Sequence, residues 1–85
     1  MGARAVLAWN LRRLRVARGL SQEKFADASG TDTVYISNVE REKVDLRLDT
    51  LDKLAGALGV TVGELFAEPM GEAPKVLKQG RKRQA

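Results

Sequence analysis

Cysteine and histidine are both absent from the 85-residue chain. Zinc fingers, haem attachment, disulfide staples, thiol nucleophiles and imidazole bases are thereby excluded. Carboxylates, lysines and hydroxyls remain, and no run of them forms an active-site pattern, so neither an enzyme nor a bound metal or cofactor is expected. Long apolar runs are also missing, because the hydrophobic stretches are short and interrupted by charge, and no membrane span is expected. The first twenty residues carry arginines but no apolar signal segment and no small-residue cleavage site, which points to the cytoplasm. Acid is missing from residues 1–22, which hold Arg4, Arg12, Arg13, Arg15 and Arg18.

The formal net charge is +4, a sign that suits nucleic acid, although distribution matters more than total. Lys75, Lys78, Arg81, Lys82 and Arg83 face only Glu68 and Glu72 in the last stretch, which leaves residues 1–67 at +1. The basic character thus sits at the two ends, and solvated charge that merely keeps the protein soluble is the plainer alternative. The length admits one domain. A domain this small buries only roughly 60% of its unfolded surface, so its core is thin and a partner copy is a natural source of stability.

What is present is helical periodicity. Leu7, Leu11 and Leu14, with Ala17 one turn on, form one apolar stripe of a first helix that Gly19 closes. Arg12, Arg13 and Arg15 lie in its second half, where cations complement the helix dipole as well as they would serve DNA. Trp9 falls off the stripe. Ser21 is an N-cap for a second helix of about eight residues, with Leu20 and Phe25 placed as a hydrophobic staple. Phe25, Ala26 and Ala28 are its inward candidates, and Gly30 ends it. Asp32 caps a third helix over residues 33–41, anchored by Ile36 and Val39. At ~100° per residue, Asp32, Tyr35, Ile36, Val39 and Glu40 share one side, whereas Val34, Ser37, Asn38 and Arg41 share the other, with Thr33 at its flank. The outward side carries no acid, which is unusual for a surface helix and is what a helix beside phosphates requires.

A polar connection from Glu42 to Arg47 leads to a fourth helix whose apolar face comprises Leu48, Leu51, Leu54, Ala55 and Leu58, with Gly59 as its stop. Thr61 and Glu64 form a capping box opening a short fifth helix with Leu65 and Phe66, which Pro69 ends. Residues 68–85, rich in Pro, Gly, Lys and Arg, read as a flexible basic tail. No strand, internal repeat or sustained heptad is apparent, so the fold class is all-α.

Two short helices joined by a Gly-containing turn, the second polar and acid-free outside, make the helix-turn-helix pattern. The sequence here resembles the Cro/phage-repressor class of regulators, the XRE family. The resemblance rests on Leu14-Arg15, Gly19-Leu20-Ser21-Gln22, Phe25-Ala26, Gly30, Tyr35-Ile36-Ser37, Glu40-Arg41 and the run Leu51–Leu58, and it covers residues 7–66. It implies a five-helix, lambda-repressor-like DNA-binding domain over residues 1–67. It further implies that Thr33, Val34, Ser37 and Asn38 read bases, with Asn suited to adenine and Val to a thymine methyl. Gln22, Arg41 and Lys43 match positions that touch phosphates, although a first-turn Gln could simply serve its own helix. Tyr35 either reaches the DNA backbone with its hydroxyl or packs on helix two. Arg15 and Glu40 match a scaffold ion pair joining helix one to helix three. Where the family has Gly or Asn after Glu40-Arg41, this chain has Glu42, which is disfavoured by about 1 kcal/mol if the backbone there is left-handed.

The resemblance also implies a homodimer on inverted-repeat double-stranded DNA. Val60, Val62, Leu65 and Phe66 are the candidate dimer surface, unless they only close the monomer core, and Trp9 is a second candidate. The length leaves no room for a ligand-sensing domain, so no small-molecule ligand is expected. Restriction–modification controllers, phage Cro-like repressors and solo regulators all fit. An antitoxin-like protein that mainly blocks a partner protein, with secondary DNA autoregulation, is the alternative.

Overall fold

Local capping determines where the helices start. The computed structural model describes residues 2–68 and contains α1 (Ala3–Ala17), α2 (Gln22–Ser29), α3 (Thr33–Glu40), α4 (Leu48–Leu58) and α5 (Val62–Leu65), with no strand among them. Ser21 Oγ accepts from the Lys24 N–H at 3.0 Å, and Asp32 Oδ1 from the Tyr35 N–H at 2.8 Å. Thr61 and Glu64 cap each other reciprocally, the Glu64 N–H donating to Thr61 Oγ1 at 3.1 Å and the Thr61 N–H to Glu64 Oε1 at 2.8 Å. Each cap satisfies an N–H that has no partner inside its helix.

Four helix ends close in one way. After α1, α2 and α4, Gly19, Gly30 and Gly59 turn left-handed at φ 70°, 73° and 71°. After α3 the same turn is made by Glu42 at φ 64°. In each case the residue beyond the turn donates to a carbonyl five positions back: Leu20 to Arg15, Thr31 to Ala26, Lys43 to Asn38 and Val60 to Ala55, at 2.8–3.1 Å. This is the Schellman closure, which favours glycine because a left-handed residue with a Cβ is strained. Glu42 therefore does adopt the left-handed backbone, at a cost of about 1 kcal/mol relative to glycine.

The core lies where the apolar faces meet. Leu7, Leu11 and Leu14 of α1, Phe25 and Ala26 of α2, Ile36 and Val39 of α3, Leu51, Leu54, Ala55 and Leu58 of α4, and Leu65 of α5 form one buried cluster. Phe25, Leu54 and Leu65 have no accessible surface. α2 and α3 pack on each other, α1 on α3 and α5, and α4 on α2 and α5.

Some expectations need correction. Leu48 is 77% exposed, since it is the first residue of α4 and stands clear of the packed turns. Ala28 is exposed, and Ser29 takes the inward place, its hydroxyl donating to the Phe25 carbonyl at 2.8 Å. Leu65, assigned to a dimer surface, is wholly buried and closes the core of its own chain. α5 ends with Phe66 as its cap rather than running to Pro69; Pro69 and all of the tail beyond Glu68 lie outside the described residues.

Candidate nucleic-acid interface

α3 is held from its inner side. Ile36 and Val39 anchor it in the core, 1% and 2% exposed. The Glu40 carboxylate receives a two-pronged guanidinium: Arg15 Nε donates to Oε2 at 2.7 Å and Nη2 to Oε1 at 3.1 Å. The two side chains are 11% and 4% exposed, so the pair is shielded from water. Arg15 Nη1 also donates to the Leu20 carbonyl at 2.8 Å, tying the pair to the turn before α2. The amide of Gln22 completes the unit by donating to Glu40 Oε1 at 3.1 Å. One carboxylate thus joins α1, the first residue of α2 and the end of α3. A fork-shaped cation suits this role because it satisfies both carboxylate oxygens at once.

The outward side has the opposite character. Thr33 and Val34 are exposed, Val34 by 68%, while Ser37 and Asn38 are half-buried. These four base-reading candidates therefore lie together, with no acid among them. Arg41 and Lys43 are exposed beside them at the Schellman closure, where the Arg41 guanidinium donates to Asn38 Oδ1 at 2.9 Å. Gln22 is half-buried and drawn into the scaffold by Glu40. What α2 presents at its start is backbone: the Ser21 cap serves Lys24, and the N–H groups of Gln22 and Glu23 have no acceptor within the helix, an arrangement suited to an anion. Tyr35 is half-buried and packs against the core cluster.

Around α5, Val60 and Val62 are half-buried against the core and Phe66 is 37% exposed. Phe66 lines an apolar cleft together with Leu7, Val44, Leu46 and Leu51. Trp9 is half-buried on the outer side of α1, in a shallow groove with Arg12, Arg13 and Val16.

Sequence reasoning missed several contacts. Asn10 is 2% exposed, and its amide donates to the Leu65 and Ala67 carbonyls at 2.9 and 2.8 Å, tethering α5 to α1. The signal was present, since Asn10 lies three residues after Leu7 and four before Leu14, an inward place on the helix. The Gln22–Glu40 bond joins residues far apart in sequence and left no local trace. Arg4 pairs with Asp45 across the start of α1 and the α3–α4 connection, both side chains largely exposed. Among the described residues no group of side chains suits a metal ion, and no helix is long and apolar enough to cross a membrane.

Comparison with known proteins agrees with this geometry. The model of the HTH_3 family, described as helix-turn-helix, matches residues 11–65. A hypothetical transcription factor of Neisseria meningitidis is 46% identical over 66 residues, 78% of this chain and 62% of the relative, so the chain spans under two thirds of that protein. The crystal structure of the restriction–modification controller protein C.AhdI from Aeromonas hydrophila superposes with a TM-score of 0.71 at 43% identity, covering 74% of this chain and 91% of that one. The controller protein C.Esp1396I, solved as a tetramer with its natural 35 base-pair operator, superposes with a TM-score of 0.70 at 26% identity over 78% and 87% of the two chains.

Proposed function

Because the chain belongs to the helix-turn-helix family, as an XRE-type DNA-binding transcription regulator, we propose that it binds inverted-repeat operators as a two-fold dimer. One α3 enters the major groove of each half-site, the half-sites about one helical turn apart. Residues 1–67 form the DNA-binding unit. Thr33, Val34, Ser37 and Asn38 meet base edges, and the half-site has A·T pairs beneath Val34 and Asn38. Arg41, Lys43 and the start of α2 at Gln22 meet phosphates, with Tyr35 at their margin; such contacts fix register without carrying sequence information.

The observation that carries this reading is the division of α3: a core-anchored inner side and an exposed, acid-free outer side flanked by Arg41 and Lys43. Phe66, with the edges of Val60 and Val62, is the surface through which two copies meet. The operator-bound C.Esp1396I tetramer supports this reading, as does the similarity to a second controller protein.

Sedimentation of the chain alone and with an operator duplex tests the proposal. The expected result is two chains per inverted pair, and weaker assembly for Phe66→Ser with the fold intact. One chain per duplex, with Phe66→Ser assembling as the parent does, would contradict the dimer.

A further inference from the structure

Asn38 and Arg41 are three residues apart on α3 and at its C-terminal cap, a spacing that makes side chains neighbours on a helix. Arg41 Nη2 lies 2.9 Å from Asn38 Oδ1. A guanidinium only donates, so the group it meets must be the carboxamide oxygen and not the nitrogen. The contact therefore fixes which way round the amide sits. Its oxygen is drawn towards the C-terminal end of α3, and its NH2 group is turned away with both hydrogens available. Asn38 is half-buried and Arg41 exposed, so the clamp lies at the margin of the outward side.

Taking as its starting point the proposal that Asn38 reads a base, we infer that Arg41 is a positioning residue for sequence recognition, acting on the DNA bases through Asn38. In the major groove an asparagine reads adenine by donating to N7 while accepting from N6. That pairing needs the donor and acceptor in one order, and an amide rotated by half a turn would set acceptor against acceptor at N7 and donor against donor at N6. The same rotated amide could donate to guanine O6. A free carboxamide samples both orientations, whereas one held by Arg41 presents only one. The oxygen keeps a second lone pair for adenine N6, and the other guanidinium N–H groups remain for a phosphate. The clamp is thus compatible with Arg41 also touching the DNA backbone.

The two roles separate experimentally. A residue that only neutralises a phosphate weakens binding to all sequences by one factor, whereas a positioning residue also changes the ratio between sequences. The experiment measures binding of the full chain to a selected operator and to duplexes with the single base pairs under α3 replaced in turn. The proteins compared are the parent, Arg41→Ala, Asn38→Ala and the double variant, with Arg41→Met as a second variant that keeps the aliphatic stem. Loss of one exposed charge-assisted hydrogen bond should lower discrimination at the Asn38 base pair by about three- to tenfold in Arg41→Ala and Arg41→Met, beyond any uniform loss. In the Asn38→Ala background, the same Arg41 substitution should leave discrimination at that pair unchanged. A loss equal across all duplexes would overturn the inference and leave base reading by Asn38 standing. If Asn38→Ala alone alters discrimination nowhere, base reading by Asn38 fails and the inference falls with it.

Discussion

The two sides of α3 draw on one short stretch, the eight residues Thr33–Glu40 and the Arg41 cap, and have opposite character. The inner side ends in Glu40, whose carboxylate is held by Arg15 and Gln22 and is nearly inaccessible to water. The outer side ends in Asn38 and Arg41, exposed or half-exposed and bonded only to each other among the hydrogen bonds of the described side chains. The contrast predicts that stability and DNA recognition are separable within a single helix. Substitutions inside should unfold the protein, and substitutions outside should change what it binds while leaving it folded.

The sharpest way to break that division is Glu40→Ala. It strands the Arg15 guanidinium in a shielded place, so a loss of roughly 3–5 kcal/mol is expected, as for other broken buried pairs. In a domain this small that is enough to abolish most folding. Chemical denaturation followed by circular dichroism checks it, and a fully folded Glu40→Ala with altered sequence preference would reverse the assignment of sides. Ile36→Ala should cost about 2–5 kcal/mol by leaving a cavity beneath the same helix.

Next in size come the outer-side variants. Val34→Ala and Asn38→Ala should leave the denaturation midpoint unchanged while lowering discrimination at their base pairs, by about 1–3 kcal/mol for a bidentate contact. Quantitative binding to single-substituted duplexes measures this.

Smaller still is Glu42→Gly, at the boundary between the two sides. Gly30 and Glu42 make the same left-handed turn on either side of α3, but only the glycine is free of strain. The substitution should stabilise the fold by about 1 kcal/mol. It should also tighten DNA binding at low salt by removing an acid between Arg41 and Lys43. The mirror change, Gly30→Ala, should destabilise by a similar amount, because an added Cβ there meets nothing within 4 Å and the cost is conformational alone. The least effect is expected for Lys43→Ala: unchanged sequence preference, and a salt dependence flattened by about 0.9 in logarithmic slope for one lost phosphate contact.

Much of this arrangement is legible in the sequence because it rests on local chemistry. Ser21, Asp32 and the Thr61–Glu64 pair announce helix starts, and Gly19, Gly30 and Gly59 announce ends. Periodicity alone separates Ile36 and Val39 from Val34 and Asn38. The scaffold pair of Arg15 and Glu40 is different in kind, since its members are far apart in sequence and only family resemblance links them; the geometry then joins them. Legibility fails where exposure depends on what a neighbouring element covers. Leu48 has the right phase on α4 but lies at its uncovered end. Leu65 and Phe66 are adjacent apolar residues, and only the placement of α5 against α1 and α4 decides that the first is core and the second surface. Polar side chains in the interior are hidden for a related reason. Asn10 has an inward place on α1, but nothing local announces the Leu65 and Ala67 carbonyls it satisfies, and Gln22 reads as a phosphate contact or a residue serving its own helix until Glu40 is beside it.

The most direct test of the central claim, that the outer side of α3 reads DNA, is selection of binding sites from random duplex DNA by the intact chain and by Asn38→Ala in parallel. The account predicts paired inverted half-sites for the parent, with A·T under Val34 and Asn38, and a preference altered at the Asn38 pair alone for the variant. Enrichment of no sequence, or identical enriched sites from both proteins, would contradict it.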